Sequence, residues 1–370
     1  MPVQRSPIPR CLALFAVSLG TLGVSNTAGW ADESLRQVDV FVSGTQGYHT
    51  YRIPAVVLTN QQTLLAFCEG RKTSRSDHGD LDLMLRRSTD GGLTWQPMQL
   101  VYEEGGTAKI TIGNPCPVVD RQTGTVWLPF CRDNDRVFVT QSTDDGRTWA
   151  QPVEITQHVK KPEWSWYATG PGHGIQLSSG RLVIPCDCRD REGQGGWDRQ
   201  GHSLVFYSGD HGKSWKLGGE TEAGMNECEV VELADGSLLL SMRNYLGKSQ
   251  RALAVSKDGG LSWSKPQRHR QLFCPTCQSS IQRYSLQPKN IILYSGPGGP
   301  GRSHMTIRLS YDEGRTWPVA KVLYSGSAAY SDLVVMPDGT IGCLYERDDY
   351  GRIAFARFSL DWLTGAEGTK

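Results

Sequence analysis

Eight side chains stand out because they place charge, or a phenol, where the neighbouring residues read as apolar strand. They are Arg52, Arg71, Asp77, Glu227, Arg243, Arg302, Tyr330 and Glu346. Three arginines drawn from distant stretches of chain make a planar, permanently charged clamp suited to one carboxylate. A neutral Tyr beside a carboxylate that takes its proton can attack a carbon bearing an anionic substituent, where an Asp or Glu nucleophile would be repelled. A second carboxylate can protonate a leaving group, help typically worth about 10²–10⁴-fold. Asp77, in a loop, suits that part. No His, Cys and carboxylate set has metal-ligand spacing, and no phosphate-cradling Gly loop leads from a strand into a helix, so neither metal nor cofactor is expected.

What must position these groups is a repeat. The pattern Ser-x-Asp-x-Gly-x-Thr/Ser-Trp occurs five times, at Ser88–Trp95, Ser142–Trp149, Ser208–Trp215, Ser256–Trp263 and Ser310–Trp317. Its aspartates, Asp90, Asp144, Asp210, Asp258 and Asp312, lie on average about 55 residues apart, a period that means an array or propeller. Ser and Asp accept backbone N–H bonds in a tight turn, Gly supplies positive φ, and the Trp buries a large face against neighbouring structure. Five identical sites cannot form one catalytic centre, so these aspartates are structural.

Strand-like runs lead into every box: Leu81–Arg87, Val137–Ser142, Ser203–Ser208, Ala252–Ser256 and Met305–Ser310. Earlier pairs such as Ala55–Thr59 with Thr63–Cys68, and Cys228–Leu233 with Ser237–Asn244, complete four-stranded antiparallel meanders. The fold expected is all-β, a six-bladed β-propeller. A last unit without a box holds Asp332–Met336, Thr340–Glu346 and Ile353–Phe358, and Gln37–Val42 is placed to supply its closing strand. In such a meander the start of the first strand, the end of the second and the loop after it share one edge, and the boxes mark the other. All eight residues map to the edge away from the boxes, so several blades would present them to one mouth.

The first residues read as an export signal. Arg5 and Arg10 precede an apolar run from Leu12 to Val24 that ends in small residues near Ala28 or Ala31. The expected division is 1–31 signal peptide and 32–370 a single catalytic propeller, secreted or periplasmic, without a membrane anchor and monomeric. The formal charge of +1 falls to −1 without Arg5 and Arg10, which leaves no basic excess to hold nucleic acid by counterion release. Without Cys11 nine cysteines remain. Cys274 and Cys277, two residues apart, are expected to be structural, with a close disulfide left open. Trp164, Trp166 and Tyr167 either line the leaving-group side or pack between blades, and His173 is expected to be structural.

Tyr51-Arg52-Ile53-Pro54, Glu69-Gly70-Arg71, Asn226-Glu227-Cys228, Met242-Arg243-Asn244, Tyr330-Ser331-Asp332-Leu333 and Leu344-Tyr345-Glu346, together with the boxes, resemble the exo-α-sialidases of glycoside hydrolase family 33. Gly170–Gly174 with Gly180-Arg181-Leu182 matches as well. The resemblance spans essentially the whole chain after residue 31. It implies a carboxylate-binding triad of Arg52, Arg243 and Arg302, Tyr330 as nucleophile, Glu227 as its base and Asp77 as general acid/base. It also implies Glu346 orienting Arg52, and Arg71 on the O4 side of the sugar. Counting back from Arg86-Arg87, as in relatives, selects Asp77 over Asp80 and Asp82, which are expected to be solvated or turn-forming. Asn114 stands where some relatives place an Asp near the N-acetyl and O4 groups, which leaves the fine specificity open. The activity implied is retaining hydrolysis of terminal sialic acid from glycans, glycoproteins or gangliosides; sialidases are an exception to the two-carboxylate rule of glycosidases. A glycosidase for the deaminated sugar KDN, a trans-sialidase and a non-catalytic glycan-binding propeller are the alternatives.

Overall fold

The computed structural model describes residues 1–2, 35–191, 200–247, 249–285 and 290–366. It divides the chain into Met1–Glu33 and Ser34–Lys370. The expected export signal, at 1–31, lies outside the described residues apart from the first two. Among the described residues no helix is long and apolar enough to cross a membrane.

Ser34–Lys370 carries six antiparallel blades. In the first, Thr50–Leu58, Leu64–Arg71, Leu81–Ser88 and Gln99–Tyr102 pair in sequence order. The second and third follow the same plan, but their innermost strands are interrupted, into Ile112–Gly113 with Val118–Val119 and Trp164–Thr169 with Ile175–Gln176. The fourth is Met225–Glu232, Leu238–Asn244, Gln250–Ser256 and Gln267–Phe273. The fifth and sixth share one long strand, Val319–Val335: through Ser327 it pairs with Ser303–Ser310, and from Ala328 it pairs with Ile341–Arg347. That junction joins two blades into one seven-stranded sheet. The expected start of the last unit at Asp332 was therefore too late, because the chain crosses between the two blades within one continuous strand. Leu35–Val42 pairs with Arg352–Phe358 and completes the sixth blade, as expected of Gln37–Val42, so one ladder joins the first and last strands of the propeller.

Burial explains the strand composition. The innermost strand Thr50–Leu58 is buried but for its last residue, and Leu64–Arg71 is buried throughout. The outermost, Gln99–Tyr102, is buried nowhere. Inner strands lie between neighbouring blades and so read as continuous apolar runs rather than alternating ones. The core is accordingly a ring of inter-blade layers. Ala55, Val57, Leu65 and Phe67 of the first blade meet Val119, Leu128 and Phe130 of the second, for example.

Each box is a turn closed by its own side chains. In the first, Ser88 Oγ donates to Asp90 Oδ1 (2.7 Å) and accepts from Gly92 N (2.8 Å), and Asp90 Oδ1 also accepts from Thr94 N (3.0 Å). A Cβ on Gly92 would lie 2.2 Å from the Phe355 ring of the sixth blade. The glycine therefore serves close approach to the adjacent blade as well as its φ of +85°. Trp95 packs edge-on to the same Phe355, and Trp149 to Phe67 of the first blade. The box is thus a clasp between blades, which explains why it recurs without taking part in a site.

Candidate active site

The interrupted and bulged ends of the innermost strands build the mouth. Register shifts fall between Arg52 and Ala55, between Met225 and Cys228, and between Ala328 and Ser331. A bulge leaves residues unpaired and re-aims their side chains. Here the unpaired stretches hold Ile53, Asn226, Glu227, Ala329 and Tyr330. Arg243 and Glu346 stand near the ends of second strands, and Arg302 directly precedes Ser303–Ser310.

The parts meet at Tyr330. Its hydroxyl donates to Glu227 Oε1 and accepts from Arg243 Nη1 at 3.1 Å. Arg243 also donates to Glu227 Oε2 at 2.7 Å, which locks the base in place. The guanidinium carbons of Arg52 and Arg302 lie 5.1 Å and 5.4 Å from the Tyr330 ring centroid, so all three arginines surround one phenol. Burial, then the charge of Glu227, pushes the phenol well above its ordinary range, with Arg243 and Arg302 pulling the other way. It therefore rests neutral, its proton already directed at the carboxylate.

Glu346 is the keystone. Fully buried, it accepts Arg52 Nε at 2.7 Å and Nη2 at 3.3 Å, Ile53 N at 3.0 Å and Tyr330 N at 3.1 Å. One carboxylate thus holds the clamp arginine and two of the three bulges. Arg302 is held differently, by the Tyr350 hydroxyl at 3.0 Å and the Thr276 carbonyl at 3.4 Å. Tyr350 also lies under Arg52, at 4.2 Å.

Arg71, Asp77 and Asn114 form a second wall of the same cavity, whose volume is about 240 Å³. Arg71 is almost fully buried, with Glu69 accepting its Nη2 at 2.7 Å, while Glu69 Oε1 also accepts Asn114 N at 2.9 Å. A Cβ on Gly113 would lie 2.3 Å from that oxygen, which fixes a glycine beside Asn114. Asp77, 69% exposed on its loop, pairs with Arg71 at 2.8 Å and approaches Arg52 at 3.7 Å. Desolvation at the rim raises its proton affinity, but Arg71 and then Arg52 outweigh that and hold it below the usual Asp range.

One expectation fails, open ones are resolved, and some lining residues carried no sequence signal. Asp82 is not solvated: it is buried, accepts the Tyr48 hydroxyl at 2.5 Å and pairs with Lys72 at 2.8 Å. Trp166 lines the cavity, whereas Trp164 and Tyr167 belong to the buried layer of the second and third blades. Asp187, Arg189 and Tyr245 line the cavity too and carried no motif. The nine described cysteines are all unpaired and buried, and Cys274 and Cys277 pack behind Tyr330.

On the propeller axis, His173 Nδ1 lies 2.6 Å from Asp332 Oδ1, and its Nε2 lies 2.8 Å from Gln282 Oε1. Glu229 accepts Ser280 Oγ, Ile281 N and Gln278 Nε2. His173, Glu229 and Asp332 are close enough to ligate an ion, but the carboxylate oxygens already accept from protein donors and both His173 ring nitrogens face acceptor oxygens. The set acts as a hub that ties the blades together.

The sequence matches the BNR repeat-like domain model over residues 62–343. It is 35% identical to a sialidase of Micromonospora viridifaciens over 88% of this chain, and spans about half (54%) of that relative's length. With Sialidase-2 of Mus musculus it shares 33% identity over 85% of this chain and 93% of the relative. The solved structure of the Hadza microbial sialidase Hz136 superimposes with a TM-score of 0.81 at 30% identity, covering 88% of this chain and 69% of that one.

Proposed function

The chain belongs to the sialidase family, and from that premise we propose that it is an exo-α-sialidase, releasing terminal α-linked sialic acid from glycoconjugates with retention of configuration. The observation that carries this reading is the neutral phenol of Tyr330 bonded at once to Glu227 and Arg243 and ringed by two further arginines. Sialic acid bears its carboxylate on the anomeric carbon itself. The three guanidinium groups bind that carboxylate, which brings the carbon to the phenol. Tyr330 attacks as its proton passes to Glu227, and the glycosidic bond breaks with the electron pair leaving on the aglycone oxygen. The covalent tyrosyl glycoside is then opened by water, which Asp77 deprotonates, as the departing Tyr330 oxygen takes its proton back from Glu227.

Asp77 starts as an anion paired to Arg71. It becomes the leaving-group acid only in the fraction of molecules that hold a proton, and substrate favours that form by engaging Arg52. Activity on unactivated sialosides is therefore highest at acidic pH. The sugar's O4 and N-acetyl side faces Arg71 and Asn114. We propose further that residues 1–31 direct export, so that the enzyme meets sialylated glycoproteins or glycolipids outside the cytoplasm or in a periplasm.

The test is hydrolysis of α2,3-, α2,6- and α2,8-sialosides, followed by release of free sialic acid, with Tyr330→Phe as control. Turnover by the native chain and its collapse in the variant are expected. No release from any sialoside, or a fully active variant, would remove the proposal.

A further inference from the structure

Behind Glu227 lies a second carboxyl group that the mechanism above does not use. Asp187 stands in the second strand of the third blade, Leu182–Asp190, and is 1% exposed. Its Oδ2 accepts Asn226 Nδ2 at 2.5 Å, across the boundary between the third and fourth blades. Asn226 is the residue before Glu227, in the same bulge. The third blade holds that bulge at two further points. Ser203 Oγ donates to the Asn226 carbonyl, and a Cβ on Gly201 would lie 2.5 Å from the Met225 carbonyl. Bulge residues have no ladder partners, so Arg243 of the fourth blade holds the carboxylate end of Glu227 while these contacts from the third blade hold the backbone that carries it.

We propose that Asp187 is a positioning residue for the base: it anchors Asn226 and thereby aims Glu227 at Tyr330. The inference rests on Glu227 acting as the base. The surroundings of Asp187 favour a neutral acid. At 1% exposure a carboxylate is costly and a protonated carboxyl less so. The charges facing it are Glu227 and Arg243 from the fourth blade and Arg189 from its own strand, with Trp166 beside it. Burial first, and then Glu227, raises its proton affinity well above the Asp range, while Arg189 and Arg243 lower it.

The experiment compares Asp187→Asn, Asp187→Ala and Asn226→Ala in the full chain with an aryl sialoside. Asn reproduces a neutral acid: its carbonyl still accepts from Asn226. Asp187→Asn is expected to keep kcat within about threefold of native, with the acid limb of the pH profile unmoved. Asp187→Ala and Asn226→Ala are each expected to lower kcat by about tenfold or more at nearly unchanged KM, as a misaimed catalytic group does. The double Ala variant should be no worse than either single one. A native kcat in Asp187→Ala or Asn226→Ala would overturn the inference, and so would an Asp187→Asn variant as slow as Asp187→Ala with a shifted acid limb. If Asp187→Ala fails to fold, Asn226→Ala decides alone. Failure of the underlying reading looks different, because the native chain itself would then release no sialic acid.

Discussion

Replacing Glu346 by Ala removes the one acceptor shared by Arg52, Ile53 N and Tyr330 N. Arg52 is 7% exposed, so the variant strands a buried cation. Breaking a buried pair from one side costs about 3–5 kcal/mol, which for a propeller of this size is a melting-point loss of roughly 4–7 °C. Asp77, 3.7 Å away but mostly exposed, offers little compensation. Glu346→Gln is gentler: its carbonyl still serves one bulge, but its amide turns a donor toward Arg52. Losing a charged hydrogen bond of about 1.5–3 kcal/mol predicts a fall in kcat/KM of roughly 10- to 10²-fold, expressed mainly in KM because the clamp holds the substrate. Calorimetry and steady-state kinetics on a fluorogenic sialoside measure both. Native melting and native kcat/KM in Glu346→Ala would refute the keystone role.

Asp258→Ala is the matched control at the far edge. It removes the acceptor for Ser256 Oγ and Ser262 N, costs on the order of 1 kcal/mol and leaves KM unchanged. Its carboxyl is held down at about 2, first against burial and then chiefly by Ser262, so the box's support is complete above the ordinary Asp value of 3.8 and fades as pH falls toward 2. Asp77→Asn should slow release from an alkyl sialoside far more than from an aryl one, whose leaving group needs no proton; equal losses would assign Asp77 another part. For His173, burial lowers and Asp332 more than restores proton affinity, giving a value of about 9 against an ordinary 6.5. A raised value means stability complete below about pH 6.5 and lost as pH climbs through 9, on the order of 3 kcal/mol in all. Denaturant midpoints at pH 6 and pH 10 should therefore converge for the native chain and His173→Gln at the higher pH; a gap that stays constant would contradict it.

The blade count and the convergence of Arg52, Glu227, Arg243, Arg302, Tyr330 and Glu346 were legible because the boxes fix strand phase, and phase decides which strand ends share a mouth. The bulges were not legible. Nothing in Asn226-Glu227 or Ala329-Tyr330 marks extra residues, since a bulge is defined by the partner strand. Asp187 was missed for a related reason: it sits within a run of buried strand, Leu182–Asp190, and gains its meaning only from Asn226 in the next blade. Asp82 was misread because its partners Tyr48 and Lys72 are distant in sequence. The merger of the last two blades was invisible because Ser325-Gly326-Ser327 at the crossing are turn-type residues, yet Val319–Val335 runs through them as one strand.

The tyrosyl intermediate can be weighed directly. Incubation with a 2,3-difluoro sialic acid, whose fluorine at C3 slows both steps and whose fluoride at C2 departs readily, should add one fluorosialyl group per chain. Peptide mass spectrometry is expected to find that mass on Tyr330 and to find none in Tyr330→Phe. A label on Glu227 or Asp77, or a native chain that turns over sialosides yet never acquires the mass, would contradict the phenol as nucleophile.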